Sequence, residues 1–235
     1  MNKYRFLLLI VCSAFFWFNR ATAEVSDCGF LTNHFGPFDY RSARPADINI
    51  VETRHFTPMV EQLKGGQSGY IAGDISYTLG VFPNHPRALN SIANLSLREK
   101  RPKPEHSQYS VHCWFDRAIR FRPDDSQVRM IYAVYLSKVG KPKEALEQLE
   151  AAERGDSDNA NFNYNIGLVY FDLKNYEKSL HFAHRAYELG FPLPGLRNKL
   201  KRAGKWREYE APTENLQVSE GGSEHKEIAK PAAEQ

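Results

Sequence analysis

The residues that could do chemistry come in small groups. His181 and His184 lie three apart, so a helix would put both imidazoles on one face as two ligands for a metal ion. No cysteine or third histidine stands beside them, so the pair reads as surface residues and no metal is expected. Gly66-Gln67-Ser68-Gly69 falls one residue short of the Gly-x-Ser-x-Gly elbow that presents a nucleophilic serine. Asp124-Asp125 and Asp156-x-Asp158 are paired carboxylates, the groups that acid–base catalysis uses. Each pair precedes an apolar run, where a carboxylate caps a helix and suits its positive end. His34, Asp39, Arg41, His55 and Asp74 form a looser polar set among aromatic residues. A catalytic or accessory site of cell-envelope or polysaccharide chemistry would be built from that set. The chain has no Gly-x4-Gly-Lys and no His-Glu-x2-His, and no cofactor is implied.

The elements that would position these groups repeat. Gly167 lies 34 residues after Ala133, Ser179 the same step after Ala145, and Ala186 the same step after Ala152. Small residues at fixed intervals let two helices cross closely, and larger apolar residues fill the gaps between them. Gly140-Lys141-Pro142 and Lys174-Asn175-Tyr176 fall where a turn between two helices belongs. An earlier copy is split. Pro86–Lys100 carries Leu89, Ile92, Ala93, Leu95 and Leu97 at helical spacing, and Arg101-Pro102-Lys103-Pro104-Glu105 then breaks it. Val111-x3-Phe115-x2-Ala118 resumes as the second helix. A weak copy starts at Thr57-Pro58, with Val60 and Leu63 on one face and Gly65-Gly66 after them.

This pattern resembles the tetratricopeptide repeat, a helix–turn–helix unit. The chain is also similar to exported bacterial proteins of that family. The motifs shared are a Cys28-Gly29 and Gly36-Pro37-Phe38-Asp39-Tyr40-Arg41 arm, a His55-Phe56-Thr57-Pro58 helix start and a Phe121-Arg122-Pro123-Asp124-Asp125 turn. The resemblance implies an all-α, right-handed solenoid of three to four helix pairs. Its units would cover about 57–85, 86–125, 126–159 and 160–192. A cap over 194–207 would bury Leu196, Leu200 and Ala203, and an irregular arm over 24–56 would precede the repeats.

Charge divides the chain further. The net charge is +3, but residues 1–23 hold Lys3, Arg5 and Arg20 with no acid. Lys3 and Arg5 precede an apolar run from Phe6 to Phe18, and Ala21-Thr22-Ala23 then supplies the small residues of a cleavage site, the layout of a secretory signal peptide. Glu214, Glu220, Glu224, Glu227 and Glu234 outweigh Lys226 and Lys230 in 211–235, and the tail over 208–235 is too poor in large apolar groups to fold. Arg197, Lys199, Lys201, Arg202, Lys205 and Arg207 crowd the cap, a solubilising face or a contact for an acidic partner or lipid headgroups. With the rest near neutral and no basic–aromatic stripes, nucleic acid is not an expected partner. The address points to the periplasm of a Gram-negative bacterium, or to secretion. In such an oxidising compartment Cys28 and Cys113 suggest a disulfide; two free thiols and an intermolecular bond through Cys28 are the alternatives.

The resemblance places a ligand groove on the first helix of each unit. By register its walls would be Gln127, Met130, Val134 and Ser137, then Asn161, Tyr164, Asn165, Leu168, Phe171 and Asp172. Met130 and Val134 replace the cations and amides that would clamp a terminal carboxylate. The expectation is therefore a protein scaffold that holds an apolar or aromatic partner segment and is not an enzyme. A subunit of a fixed oligomer is a third possibility.

Overall fold

Prolines and short polar side chains set where the helices begin. A computed structural model describes residues 28–155 and 158–208. The expected signal peptide at 1–23, residues 24–27, Asp156 and the segment from 209 onward lie outside the described residues. Within them there are ten helices and no strand: α1 Pro45–His55, α2 Pro58–Glu61, α3 Ile71–Val81, α4 Pro86–Glu99 and α5 Val111–Phe121. The second half holds α6 Ser126–Lys138, α7 Pro142–Ala152, α8 Ala160–Asp172, α9 Tyr176–Glu188 and α10 Gly195–Arg202. Four of them open on proline, whose missing N–H is an orphan at that position anyway. Asp125, Asn159 and Asn175 accept a backbone N–H at the starts of α6, α8 and α9, and Ser110 does so for α5.

The stops are as regular as the starts. Lys100, Gly140, Lys174, Gly190 and Gly204 all take positive φ, and the next amide donates back to a carbonyl five residues earlier. Only residues 139–141 connect α6 to α7, and only 173–175 connect α8 to α9. Each pair must therefore fold back as a hairpin. The chain is an all-α helical repeat solenoid in which α4, α6 and α8 stand side by side, backed by α5, α7 and α9.

The core explains the spacing of small residues. Ala133, Ala145, Ala152, Ala183, Ala186 and Ser179 are all fully buried where helices cross. Ser179 Oγ donates to the Gly167 carbonyl at 2.8 Å across the hairpin. A Cβ on Gly167 would lie 2.6 Å from Leu196 Cδ2, so a side chain there would push the Leu196 tip aside. Trp114, Phe115, Tyr170, Leu89 and Leu149 fill the larger spaces.

Two expectations for the N-terminal half change. The arm is not irregular throughout, because Pro45–His55 forms α1 and packs on α3. Arg44 clasps Asp47 at 2.8 Å in its first turn. The helix start at Thr57-Pro58 gives a single turn only, before Gly65 and Gly66. Of the cap residues, Leu196 and Leu200 are buried, but Ala203 is exposed.

Cys28 and Cys113 are bonded, closing a separation of 85 residues. Buried Arg117 reinforces that junction by donating to the carbonyls of Cys28 and Phe30 while it lies over the Tyr109 ring.

Candidate functional site

The side-by-side helices α4, α6 and α8 leave one long face without a second layer. By helical register the residues on it include Asn90 and Asn94 of α4, Gln127, Ile131 and Val134 of α6, and Asn161, Asn165 and Leu168 of α8. Asn90, Gln127 and Asn161 are exposed, and Asn94 and Asn165 are half-buried. Asn165 Nδ2 faces Asn161 Oδ1 at 3.5 Å. The face is thus a row of carboxamides with Val134 and Leu168 set between them. A carboxamide both donates and accepts, which is the complement of an extended peptide backbone.

Other residues expected on the groove wall are engaged elsewhere. Met130 is 7% exposed and belongs to the inter-helix core, and Val134 leans on the same core. Ser137 is half-buried near the end of α6. Tyr164 stacks on Phe191 with ring centroids 3.9 Å apart. Leu168 and Phe171 pack with Leu196 and Leu200. Lys199 lies over the Phe171 ring and reaches Asp172 at 3.2 Å. The physical reason is α10. It takes the place of a next first helix, so the Tyr164 and Phe171 edge of α8 is covered, while Asn161 and Asn165 stay on the open face and half-buried Leu168 lies between the two. The same contacts use part of the basic cap, since Arg197 lies over Tyr187 and Trp206, and Arg207 pairs with Glu177.

The rival polar set divides in two. Asp39 and Arg41 belong to a clamp at the starts of α4 and α6. Asn84 Nδ2 donates to Asp39 at 2.7 Å and to Asp125 at 2.9 Å. Arg41 and Arg122 bridge Asp39 and Asp124. Burial alone would raise the Asp39 carboxyl, but hydrogen bonds from Arg41 and Asn84 outweigh it and bring it down to about 2. Asp125 caps α6 as expected, and Asp124 is an ion-pair partner.

Beside this clamp, fully buried His85 caps α4 by accepting from Ala88 N at Nδ1. Its other nitrogen meets Glu52 Oε1 at 3.1 Å, and Tyr40 donates to the same oxygen at 2.8 Å. Burial pushes the His85 imidazole down to about 4, against the opposing pull of Glu52. The sequence signal for this cap was Pro86 at the first helical position, although histidine is not among the usual capping residues.

His55 and Asp74 do meet, Nδ1 to Oδ1 at 3.1 Å. Asp74 is buried, and it also accepts the amides of Gln67 and Ser68 and the Ser68 hydroxyl. These bonds outweigh burial and hold the Asp74 carboxyl below its ordinary range. A nucleophilic serine would give its proton to an imidazole that a carboxylate orients. Here the serine gives it to the carboxylate, so the near-elbow Gly66–Gly69 is a loop tied down by Asp74. Gly66 is required there, because a Cβ would meet the Gly69 carbonyl oxygen at 2.1 Å. His34 is exposed on the arm. His181 is exposed, and the His184 ring packs 4.6 Å from Trp206. Among the described residues no group of three or more His, Cys, Asp or Glu converges on a metal position. None of their helices is long and apolar enough to cross a membrane.

No protein-family profile matches the chain. It is similar in part to the mouse protein named Protein O-mannosyl-transferase TMTC3, at 32% identity over 98 residues, which is 42% of this chain and 10% of that protein. The human protein of the same name is 30% identical over 104 residues, 44% of this chain and 11% of that protein. The chain thus spans about a tenth of the length of these relatives. The likeness is thus partial, and what the described residues themselves form is an all-α helical repeat.

Proposed function

We propose that the protein is an exported scaffold that binds a partner polypeptide along the open face of α4, α6 and α8. The observation that carries this reading is the carboxamide row Asn90, Asn94, Gln127, Asn161 and Asn165. Such a row satisfies an extended backbone whatever its sequence, and Val134 and Leu168 between the amides favour apolar side chains at intervals. The partner segment is therefore extended and apolar, and the aromatic residues of α8 serve the cap instead. Transferase chemistry does not carry over from relatives matched over a tenth of their length. The rival reading, catalysis at the arm, would need Asp39 and Arg41 to face a substrate, and their hydrogen bonds go to Asn84, Asp124 and each other. The export reading rests on the leader-like start of the sequence and on the Cys28–Cys113 bond, which persists in oxidising compartments.

The test is site-specific photocrosslinking in cells. A crosslinker at Gln127 or Asn165 should capture one partner band, and one at Glu150, on the exposed side of α7, should not. Combining Asn94→Ala, Gln127→Ala and Asn165→Ala should weaken binding of that partner at least tenfold with an unchanged melting temperature. Equal capture from Glu150 would refute the open face as the binding surface. Recovery of the protein only in the cytosol, with reduced thiols, would refute export.

A further inference from the structure

The split repeat has a structural consequence away from the open face. Residues 100–110 join α4 to α5, where the other two hairpins use three residues. The extra residues do not flop outward. Val111 N donates to Pro102 O at 2.9 Å, Gln108 N to Ser76 Oγ at 3.1 Å, and Trp114 Nε1 to Ser107 Oγ at 3.1 Å. His106 stacks on Tyr70 at 3.4 Å. The pinned insertion forms one wall of a cleft of about 570 Å³ between the end of α4, the start of α5 and the second half of α6.

That volume and lining suit a small molecule. Leu97, Pro102, Tyr132, Tyr135, Leu136 and Val139 make the cleft mostly apolar. Val139 is a large apolar side chain left 39% exposed at its mouth. The polar groups inside are partly pre-set, with His112 Nδ1 2.6 Å from Tyr132 Oη and Ser96 Oγ donating to the Arg101 carbonyl. Charge lies on one side only. Lys100, Arg101 and Lys141 rim the cleft and no aspartate or glutamate lines it. Glu144 engages Lys141 at 2.9 Å, so Lys100 and Arg101, both exposed, are the cations left for a ligand.

We infer that this cleft is a binding site for a small amphipathic carboxylate, its apolar body against Tyr132, Tyr135 and Val139 and its carboxylate toward Lys100 and Arg101. An aromatic ring or medium-length alkyl chain would displace water from the apolar wall, and the two cations would select the anion over a neutral analogue. The site belongs to the edge of the solenoid and is independent of the carboxamide face.

Calorimetric titration of the folded protein with decanoate, 3-phenylpropionate and 3-phenylpropionamide tests it. Both acids should bind, and 3-phenylpropionate should bind at least tenfold tighter than its amide. K100E/R101E should remove that preference and leave amide binding as it was. Val139→Glu should weaken acid and amide alike. All three positions are exposed, so circular dichroism and melting should match the parent protein. The Asn94, Gln127 and Asn165 alanine variant should bind the acids normally, which separates this site from the open face. Equal binding of acid and amide, unchanged binding in both cleft variants, or no heat at millimolar concentration would overturn the inference. Binding of an acidic phenylalanine-containing peptide without binding of the small acids would also overturn it.

Discussion

His85 makes stability depend on pH in a window that opens near 6.5, above the ordinary carboxylate range. Its Nδ1 accepts the Ala88 N–H, so the ring proton sits on Nε2 and points at Glu52. Protonating Nδ1 would set two N–H groups against each other and place a cation at the positive end of α4. The imidazole is therefore depressed from 6.5 to about 4, with burial the main cause. In the unfolded chain the same group titrates near 6.5. Between those values the unfolded state binds more protons than the folded state, so stability falls as pH falls. Linkage gives a loss of about 1.4 kcal/mol by pH 5.5 and about 2.5 kcal/mol by pH 4.5, relative to pH 7.5. Asp39, at about 2, loses its contribution only further down, as pH falls below the ordinary carboxylate value. The assay is urea unfolding at several pH values of the parent protein and of His85→Asn, which keeps a capping side chain and cannot titrate here. The variant should be less stable at pH 7.5, because Glu52 loses one of its three partners, keeping Tyr40 and Arg87. The gap should then close by about 2.5 kcal/mol at pH 4.5. Parallel stability curves, differing by a constant within about 0.5 kcal/mol, would refute the buried neutral imidazole.

Two further perturbations follow from the backbone. Reducing the Cys28–Cys113 bond frees a separation of 85 residues, for which loop-closure entropy gives a loss of about 4–5 kcal/mol. Calorimetry with and without reductant should show a drop in melting temperature on the order of 10 °C, and a drop under about 2 °C would show that the bond does not constrain the unfolded chain. Lys174 takes the left-handed conformation, φ 61°, that Gly140 takes in the preceding unit. Lys174→Gly should therefore add about 1 kcal/mol in urea unfolding, and a loss of stability would show that the lysine side chain holds that turn.

What the sequence could reveal followed from which contacts are local. Ala133, Gly167, Ala145, Ser179, Ala152 and Ala186 repeat because each faces its own hairpin partner, and all six are buried there. The α6 cap at Asp125 was legible for the same reason, since its hydrogen bond goes three residues along. Helix α1 was not legible, because Val51 is its one buried side chain and only Ile48, a single i,i+3 step before it, shares that cluster, too short a pattern to mark a helix. The groove was legible only in part. Positions 130, 134, 164 and 171 are neither inner face nor core by residue type. What covers them decides, and α10 comes from 24 or more residues beyond Phe171 in the chain. Ser68 was visible only as a failed nucleophile motif, and nothing near it in the sequence marked Asp74 as its acceptor.

The two ends of the repeat array explain where binding is possible. A stack of helix pairs exposes an apolar face at each end unless something closes it. At the far end α10 does so with Leu196 and Leu200. At the near end the arm does so with Phe35, Phe38 and Tyr40 packed on Val51, Val81 and Phe82. The arm also ties itself to the caps of two neighbouring helices, α4 and α6, His85 through Tyr40 and Glu52, and Asp125 through Asn84 and Arg41. The polar density that made the arm look like a site is thus what a cap needs: buried aromatics for area, and ions to satisfy two helix starts at once. With both ends closed, the carboxamide face and the cleft behind residues 100–110 remain open. The first offers hydrogen bonds spaced along three helices and suits a long segment. The second offers one apolar recess under two cations and suits a small acid.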